Sequence, residues 1–188
     1  MTDKERYLSL CSSIKRDGIN NLIDWLEKSD FFTAPASTRF HGSYAGGLCE
    51  HSLHVYDEMK RLLQVYPEIK VSEETIIITT LFHDLCKVNN YAVEKRNRKN
   101  ESGQWESYDA FITKPKLNYG GHGSKSVFIT QQFIKLTTEE AVAINCHMSA
   151  FDGDVGYIGM AYEQFPYAWL LSAADQSATY VIETKKEG

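Results

Sequence analysis

The sequence predicts an all-α fold in which one helical domain carries a long loop or hairpin excursion at about residues 88–120. Apolar residues recur at helical spacing in most segments. In GINNLIDWLEKSDFF they follow the i, i+3, i+4, i+7 pattern at Ile19, Leu22, Ile23 and Leu26. The 188 residues, 43% of them hydrophobic and without internal repeats, suffice for one domain that buries roughly two-thirds of its unfolded surface.

Residues 3–16 and the segment after Gly18 are predicted as the first two helices. A loop containing Pro35 follows, and GGLCEHSLHVYDEMKRLLQVYP then predicts a third helix that ends at Pro67. Its apolar stripe is interrupted only by the small residue Ser52 and consists of Leu48, Val55, Met59 and Leu62.

The fourth predicted helix begins after Ser72, a good N-cap, with Glu73 and Glu74 in the first turn, where the helix dipole favours negative charge. It extends through TIIITTLFHDLCK to Lys87 and is apolar on nearly every side, which indicates a central, fully packed helix. The β-branched run at residues 75–80 would also suit a buried strand, but the length, the cap and the acidic first turn favour a helix.

The segment at 88–120 is rich in charged residues, Asn and Gly, and only WESYDAFI has strand-like content. An excursion of this length is usually a functional lid or a disordered segment. Helices are predicted again in HGSKSVFITQQFIK and in TTEEAVAINCHM, where Thr137 and Glu140 fit a capping box. The last predicted helix is PYAWLLSAADQSATYVIE, with Pro166 at its first position.

Composition and charge exclude several classes of protein. The N-terminal segment lacks a signal-peptide pattern and no window approaches the roughly 18 apolar residues of a membrane span, so we expect a cytoplasmic protein that does not bind membranes. A net charge of −5 argues against general binding of duplex nucleic acid but allows a small anionic ligand held by local cations. Free thiols in a reducing cytosol are indicated by the four cysteines, which form no C-x-x-C pair: Cys11, Cys49, Cys86 and Cys146.

Four histidines, His51, His83, His122 and His147, lie on separate helical segments or at their starts. Each taken alone is more often a hydrogen-bonded core residue or a surface residue than a metal ligand. Asp175 changes this balance, because its neighbours at helical spacing are mainly apolar and place its carboxylate on a stripe that faces the core.

Burying an unpaired carboxylate, as predicted for Asp175 and Asp84, costs several kcal/mol even after relaxation. Lys87 is the one cationic candidate on the nearby apolar stripes. One divalent cation would neutralise both acids, and neutral imidazoles are its natural companions. Such a mixed ligand set suits Mn, Fe, Co, Ni or Zn, with Mg possible where water completes the shell. Cys86 is interpreted as a buried small apolar residue rather than a ligand.

The segments GGLCEHSLHV, LFHDLCK and SAADQSAT resemble the ordered H…HD…D signature of the HD-domain superfamily of metal-dependent phosphohydrolases. The flanks FHGSYAGGLCEHSLHV, GHGSKS and INCHM are most similar to YhaM-like exoribonuclease HD domains and to small bacterial and prophage HD phosphohydrolases. The resemblance implies a single HD-domain helical bundle over 1–188, with N-terminal helices at 1–37 and a metal-binding helical core at 38–182.

The resemblance also implies a ligand set. It implies one metal site formed by His51, His83, Asp84 and Asp175. In two-metal members Asp84 would bridge to a second ion, and His122 and His147 stand where such members place further ligands. The family often has two adjacent histidines where this chain has Cys146 and His147, so one ligand of the second metal is missing.

The expected activity is metal-dependent hydrolysis of a phosphoester in a small nucleotide by a metal-activated water. Asp84 and Lys87 are the catalytic candidates, the first to orient the water and the second, which completes an HDxxK pattern, to hold a phosphate oxygen. Lys87 could instead compensate a helix dipole. The alternatives are a 3′-to-5′ exonuclease on short single-stranded RNA or DNA, which the acidic charge disfavours, and a non-catalytic nucleotide-binding regulatory HD module.

Substrate recognition needs further cations, and the candidates are Lys87, Arg39, His41, Lys125, Arg96 and Arg98. The last two belong to KRNRK, for which a solvated charged loop is the simpler interpretation. Trp105, Tyr108 or Tyr119 could stack on a base. His54 is interpreted as structural. The sequence leaves open whether one metal or two are bound and whether the chain forms a homodimer.

Overall fold

The computed structural model describes residues 1–114, 120–152 and 155–184, and within them the fold is mainly helical. The α-helices are α1 (Asp3–Cys11), α2 (Ile19–Lys28), α3 (Gly47–Val65), α4 (Glu73–Phe82), α5 (His122–Gln131), α6 (Thr138–Cys146), α7 (Val155–Gln164) and α8 (Pro166–Ser177). Short 3₁₀ turns occupy Leu85–Lys87 and Ser149–Phe151, and α8 continues into a π-helical segment at Ala178–Ile182.

The expected excursion contains a β-hairpin. Strand β1 (Tyr91–Lys99) pairs antiparallel with β2 (Trp105–Thr113), so that Tyr91 lies opposite Thr113. The turn between the strands includes Gly103 at a φ of +79°, a conformation that glycine adopts without strain. The hairpin corrects the all-α prediction: the fold is mostly helical but includes a small sheet.

The central position predicted for the fourth helix is confirmed, because every residue of α4 from Thr75 to Phe82 is buried. The β-branched run fits a helix since the Thr79 and Thr80 hydroxyls donate to the carbonyl oxygens of Thr75 and Ile76, at 2.8 and 2.7 Å. These bonds satisfy hydroxyl groups that would otherwise be buried without a partner.

Two groups of buried apolar side chains meet at α3 and α4. One group joins α1, α2 and the first half of α3 to α4, and the other joins the second half of α3 to α8. The Tyr7 hydroxyl donates to the carbonyl oxygen of Leu81 at 2.8 Å, which fixes α1 against α4. The core therefore surrounds the C-terminal end of α4, the point at which the sequence places its His-Asp pair.

The predicted continuation of this helix to Lys87 is wrong, because α4 ends at Phe82. Asp84 leaves the helical region, with φ −109° and ψ 20°, and a 3₁₀ turn follows. At this end His83 Nδ1 lies 2.8 Å from the Thr80 carbonyl oxygen and satisfies a group of the last helical turn. The break turns Asp84 out of the helical path.

Other boundaries also differ from the prediction. The first helix ends at Cys11 rather than at residue 16. The sequence VGYIGMAYEQ, not predicted as a helix, forms α7, in which only Ile158 and Ala161 are buried. Its two glycines and its short apolar stripe make the helical signal weak. Among the described residues no helix has both the length and the apolar character needed to cross a bilayer.

The predicted capping box of α6 is present. Thr137 accepts a hydrogen bond from the Glu140 N–H at 3.3 Å, and the Glu140 carboxylate accepts one from the Thr137 N–H at 2.8 Å. Arg16 also contacts the buried Glu140 carboxylate, at 2.5 and 2.7 Å. These contacts fix the start of a helix whose other end adjoins His147.

Replacing Thr137 with alanine should lower the free energy of unfolding by about 1 kcal/mol, because the first turn of α6 loses its side-chain cap. Urea denaturation of the purified variant measures this value. The matched control is Thr138→Ala at the next exposed position, which should change stability by less than about 0.5 kcal/mol. Equal effects of the two changes would contradict the assigned cap.

Candidate metal centre

Buried side chains from four parts of the fold converge at the end of α4. They are His51 from α3, His83 and Asp84 from the end of α4, His147 from the end of α6, and Asp175 from α8. The structure thus brings together the four residues implied as the first metal site and one of the two candidates for a second.

The three imidazoles are oriented by hydrogen bonds from their Nδ1 atoms. The partners are the carbonyl oxygen of Thr80 for His83 at 2.8 Å and that of Ile144 for His147 at 2.6 Å. His51 Nδ1 faces the Glu183 carboxylate at 2.9 Å. A carbonyl or carboxylate can only accept, so each Nδ1 carries a proton, and each Nε2 is left to bind a further group.

The Nε2 atoms point to the two carboxylates. His51 Nε2 lies 3.1 Å from Asp175 Oδ1, and His83 Nε2 lies 3.4 Å from Asp84 Oδ2. His147 Nε2 lies 3.7 Å from Asp84 Oδ1. All three Nε2 atoms are buried, and within the described residues none forms a hydrogen bond of good geometry. This holds for His51 Nε2 too, despite its short distance to Asp175.

These separations fit ligands of a common ion. Bonds of about 2.1 Å to a transition metal allow two of its ligand atoms to lie up to about 4.2 Å apart. The contacts of 3.1, 3.4 and 3.7 Å lie below this limit. In a wider grouping, donor atoms of His51, His83 and Asp84 lie within 4.8 Å of one another, as do those of His83, His147 and Asp175. Buried imidazole nitrogens that lack hydrogen-bond partners and converge on carboxylate oxygens in this way can hold a divalent metal.

The charges of the cluster also favour a cation. Burial alone would raise the pKa of Asp84, but Lys87 and His83 hold it well below its usual range. The pKa of Asp175 is likewise lowered, since its contact with His51 outweighs its burial. Burial would lower the pKa of His51, but Asp175 and Glu183 raise it to about 9. The carboxylates that attract a proton to His51 Nε2 attract a metal ion to the same atom.

Lys87 lies beside this cluster. Its Nζ is 2.6 Å from Asp84 Oδ2, and the contact raises the pKa of Lys87 although burial opposes the charge. Both groups line a cleft of about 170 Å³ together with His147 and Asp175. The ammonium group is therefore placed beside the candidate metal ligands and faces the same space.

The two histidines considered for a second metal fall in different groups. His147 joins His83 and Asp175, whereas a donor atom of His122 lies near Asp84 and Cys86, within 4.8 Å. His122 begins α5 and is half-buried, and burial lowers its pKa, so the ring is neutral at pH 7. Cys86 is buried, as predicted, and burial raises the pKa of its thiol to about 12.

The candidate substrate-binding residues occupy different regions. His41 packs on the His51 ring, with 4.9 Å between the ring centroids, and lines the cleft beside Asp84. Arg39 is exposed and lines a neighbouring, larger cleft. Lys125 is buried in α5, where burial lowers its pKa.

The hairpin cations pair within the hairpin. Arg96 lies 2.5 Å from Glu94, and Arg98 lies 2.6 Å from Glu106. The ring of Tyr108 stacks under Arg98, and that of Trp105 lies under Lys99. None of these side chains lines the cleft that contains Asp84, as far as the described residues show. Tyr119 and its neighbours at 115–119 lie outside the described residues.

Glu183 is a site residue that the sequence interpretation missed. Its carboxylate lies 2.9 Å from both His51 Nδ1 and His54 Nδ1, which gives His54 a role in holding it. The π-helical segment at Ala178–Ile182 brings Glu183 to this position. A pattern based on 3.6 residues per turn does not reveal such an insertion, although π-helical turns are frequent at functional sites.

Comparison with known proteins yields a partial match. A segment of 81 residues, 42% of this chain, is 35% identical to dihydroneopterin 2′,3′-cyclic phosphate phosphodiesterase from Methanocaldococcus jannaschii and covers 30% of that enzyme. No family profile matches the chain, and no solved structure matches it significantly. The chain is thus similar in part to a phosphodiesterase of which it spans less than one third.

Metal binding should raise thermal stability. At 100 times its dissociation constant, an ion specific for the native state adds about 2.7 kcal/mol, or about 5–10 °C for a chain of this size. Mn²⁺ added to chelator-treated protein should produce such a shift, measured by scanning calorimetry. Asp175→Asn should abolish most of it, whereas Asp24→Asn, an exposed change in α2, should retain it. An unchanged shift in Asp175→Asn would exclude this site.

Replacement of Glu183 with glutamine should weaken metal binding about tenfold, because His51 loses the anionic partner that orients its ring and increases its basicity. Competition with a chromophoric chelator measures the affinity. Glu163→Gln, at an exposed position of α7, is the matched control and should bind as the wild type does. Equal affinities for all three proteins would show that Glu183 does not support the metal.

Proposed function

We propose that this chain is an HD-type, metal-dependent phosphohydrolase that cleaves a phosphoester of a small nucleotide. The observation that carries the proposal is the arrangement of three buried imidazoles, His51, His83 and His147. The Nε2 atom of each ring points toward one of two ionised carboxylates. Among the described residues these Nε2 atoms have no hydrogen-bond partner. The order of these residues agrees with the H…HD…D signature, and the partial similarity to a phosphodiesterase supports the same class of reaction.

A divalent ion held by these residues would polarise a phosphoryl oxygen. It would also lower the pKa of a bound water molecule to about 7, so that hydroxide forms at neutral pH. Asp84 directs one oxygen to His147 and the other to Lys87, so its carboxylate adjoins both the donor cluster and the cleft. In the proposed mechanism Asp84 orients the attacking water or takes its proton.

Lys87 supports the reaction from the other side of Asp84. Its buried ammonium group stays charged at neutral pH and lines the same cleft. In this position it can donate to a non-bridging phosphate oxygen and neutralise charge that develops in the transition state. The small cleft accommodates the phosphate group, while the rest of the substrate extends beyond it.

The name of the partial relative suggests which ester to test first. That enzyme acts on a 2′,3′-cyclic phosphate, a strained diester of neighbouring hydroxyls. We extend this to the present chain as a proposal, with nucleoside 2′,3′-cyclic phosphates as the first substrates to test. The metal is expected to be Mn, Fe, Co, Ni or Zn, as its imidazole and carboxylate ligands favour.

The two other candidate functions have less support. A strand-binding exonuclease needs a run of cations free to contact the phosphate backbone, but Arg96 and Arg98 pair with glutamates of their own hairpin. A non-catalytic regulatory module has no need for the buried pair Asp84 and Asp175, whose burial is costly without a metal.

The purified protein should release product from at least one member of a panel of nucleotides in the presence of Mn²⁺. The panel includes 2′,3′-cyclic and 3′,5′-cyclic nucleotides, nucleoside monophosphates and short single-stranded RNA and DNA, and liquid chromatography detects the products. Asp84→Asn should reduce kcat at least 1,000-fold, roughly the loss of a metal-assisted step, whereas Asp24→Asn should retain activity.

The outcomes separate the hypotheses. Cleavage of oligonucleotides alone would favour the exonuclease, and binding of a nucleotide without turnover would favour the regulatory module. Full activity of Asp84→Asn, or activity that persists after chelation, would exclude the proposed metal-dependent mechanism.

A further inference from the structure

A larger cleft adjoins the one that contains Asp84. It has a volume of about 520 Å³ and shares His41, Thr179 and Tyr180 with the smaller cleft. One wall is the loop before α3, which contributes Arg39, Phe40 and His41. The other is the π-helical segment and the residues after it, which contribute Thr179, Tyr180, Glu183 and Thr184. A single ligand can therefore extend from the candidate metal centre into this cleft.

Aromatic rings from both walls are exposed there. Phe40 is 70% exposed and Tyr180 is 62% exposed, although each could remove apolar area from water by packing on the core. They come from separate elements and line the same concave surface. Exposed apolar side chains grouped around a cleft mark a binding surface rather than chance exposure.

Arg39 adds a polar group to this surface. Its guanidinium lies over the Phe40 ring, 5.6 Å from the centroid, and forms no ion pair with any residue of the described chain. Glu183, in the opposite wall, directs its carboxylate to His51 and His54 instead. The planar fork of Arg39 is thus available to a ligand that presents two adjacent acceptors.

We propose that this cleft binds the planar aromatic heterocycle of the substrate, with its faces against Phe40 and Tyr180 and an acceptor edge toward Arg39. The proposal rests on the proposed function and deepens it, because it assigns the base to one cleft and the phosphate to the other. The volume suits a base with its sugar. Guanine fits this description, since its O6 and N7 are adjacent acceptors that match the two parallel N–H donors of an arginine.

Stacking of this kind should account for most of the difference in affinity between a nucleotide and a sugar phosphate that has no base. Loss of one stacking partner typically weakens binding of a base by about tenfold. The phosphate contacts remain unchanged, so the affinity for a ligand without a ring should not change when a stacking side chain of the larger cleft alone is removed. The difference between the two ligands therefore reports on the cleft and not on the metal centre.

Binding of 3′-GMP, 5′-GMP and ribose 5-phosphate to Mn²⁺-loaded protein, measured by isothermal titration calorimetry, tests the proposal. The wild type should bind at least one GMP about tenfold or more tightly than ribose 5-phosphate. Phe40→Ala, which changes the larger cleft alone, should weaken GMP binding about tenfold and leave ribose 5-phosphate unaffected, whereas Tyr180→Ala, which changes both clefts, should weaken GMP binding more than ribose 5-phosphate binding. Phe128→Ala, which removes an exposed phenylalanine of α5 outside both clefts, should bind like the wild type.

Several results would overturn the assignment of this cleft: no binding of either GMP, equal affinity for GMP and ribose 5-phosphate, or equal losses in Phe40→Ala and Phe128→Ala. Failure here is distinguishable from failure of the proposed function. Turnover without ring preference rejects only the cleft, and ring preference in a protein that cleaves no phosphoester rejects only the hydrolase.

Discussion

The burial of two ionised carboxylates, Asp84 and Asp175, is the constraint around which the rest of the structure is arranged. Each would cost several kcal/mol if it were left unpaired in the core. Lys87 neutralises one oxygen of Asp84, and His51 Nε2 lies 3.1 Å from Asp175 Oδ1. Three carboxylates, counting Glu183, still outnumber the Lys87 ammonium and a protonated His51, which makes this interior a favourable place for a cation.

Two helices direct their C-terminal ends to the same point. His83 and His147 are each the residue that follows a helix, and each donates from Nδ1 to a carbonyl oxygen three residues earlier. The same hydrogen bond thus satisfies a terminal carbonyl group and fixes the tautomer of the imidazole. The partial negative charge at both helix ends also favours a cation between them. The backbone and the side chains therefore select the same sign of charge.

Sequence patterns predict much of this arrangement but not its local detail. The apolar stripe around Asp175 and the position of His83 and Asp84 in a buried run both predict a core site, because burial of a carboxylate demands a partner. The end of α4 cannot be derived in the same way, since no Gly or Pro follows Phe82 in the segment up to Lys87. The hairpin was indicated only by the content of β2, and α7 is too sparsely buried to produce a clear period.

The π-helical segment links the candidate metal centre to the larger cleft. A regular helix beyond Ser177 would rotate Glu183 relative to Asp175 by a different angle, so the π-helical segment contributes to the position of the carboxylate beside His51. The same segment places Thr179 and Tyr180 in both clefts. The opposite wall is equally constrained: a Cβ on Gly47 would lie 2.1 Å from the Gly42 carbonyl oxygen, so only glycine permits the close approach that holds His41 on His51. The contacts of His51 and the shape of the larger cleft thus involve the same two segments.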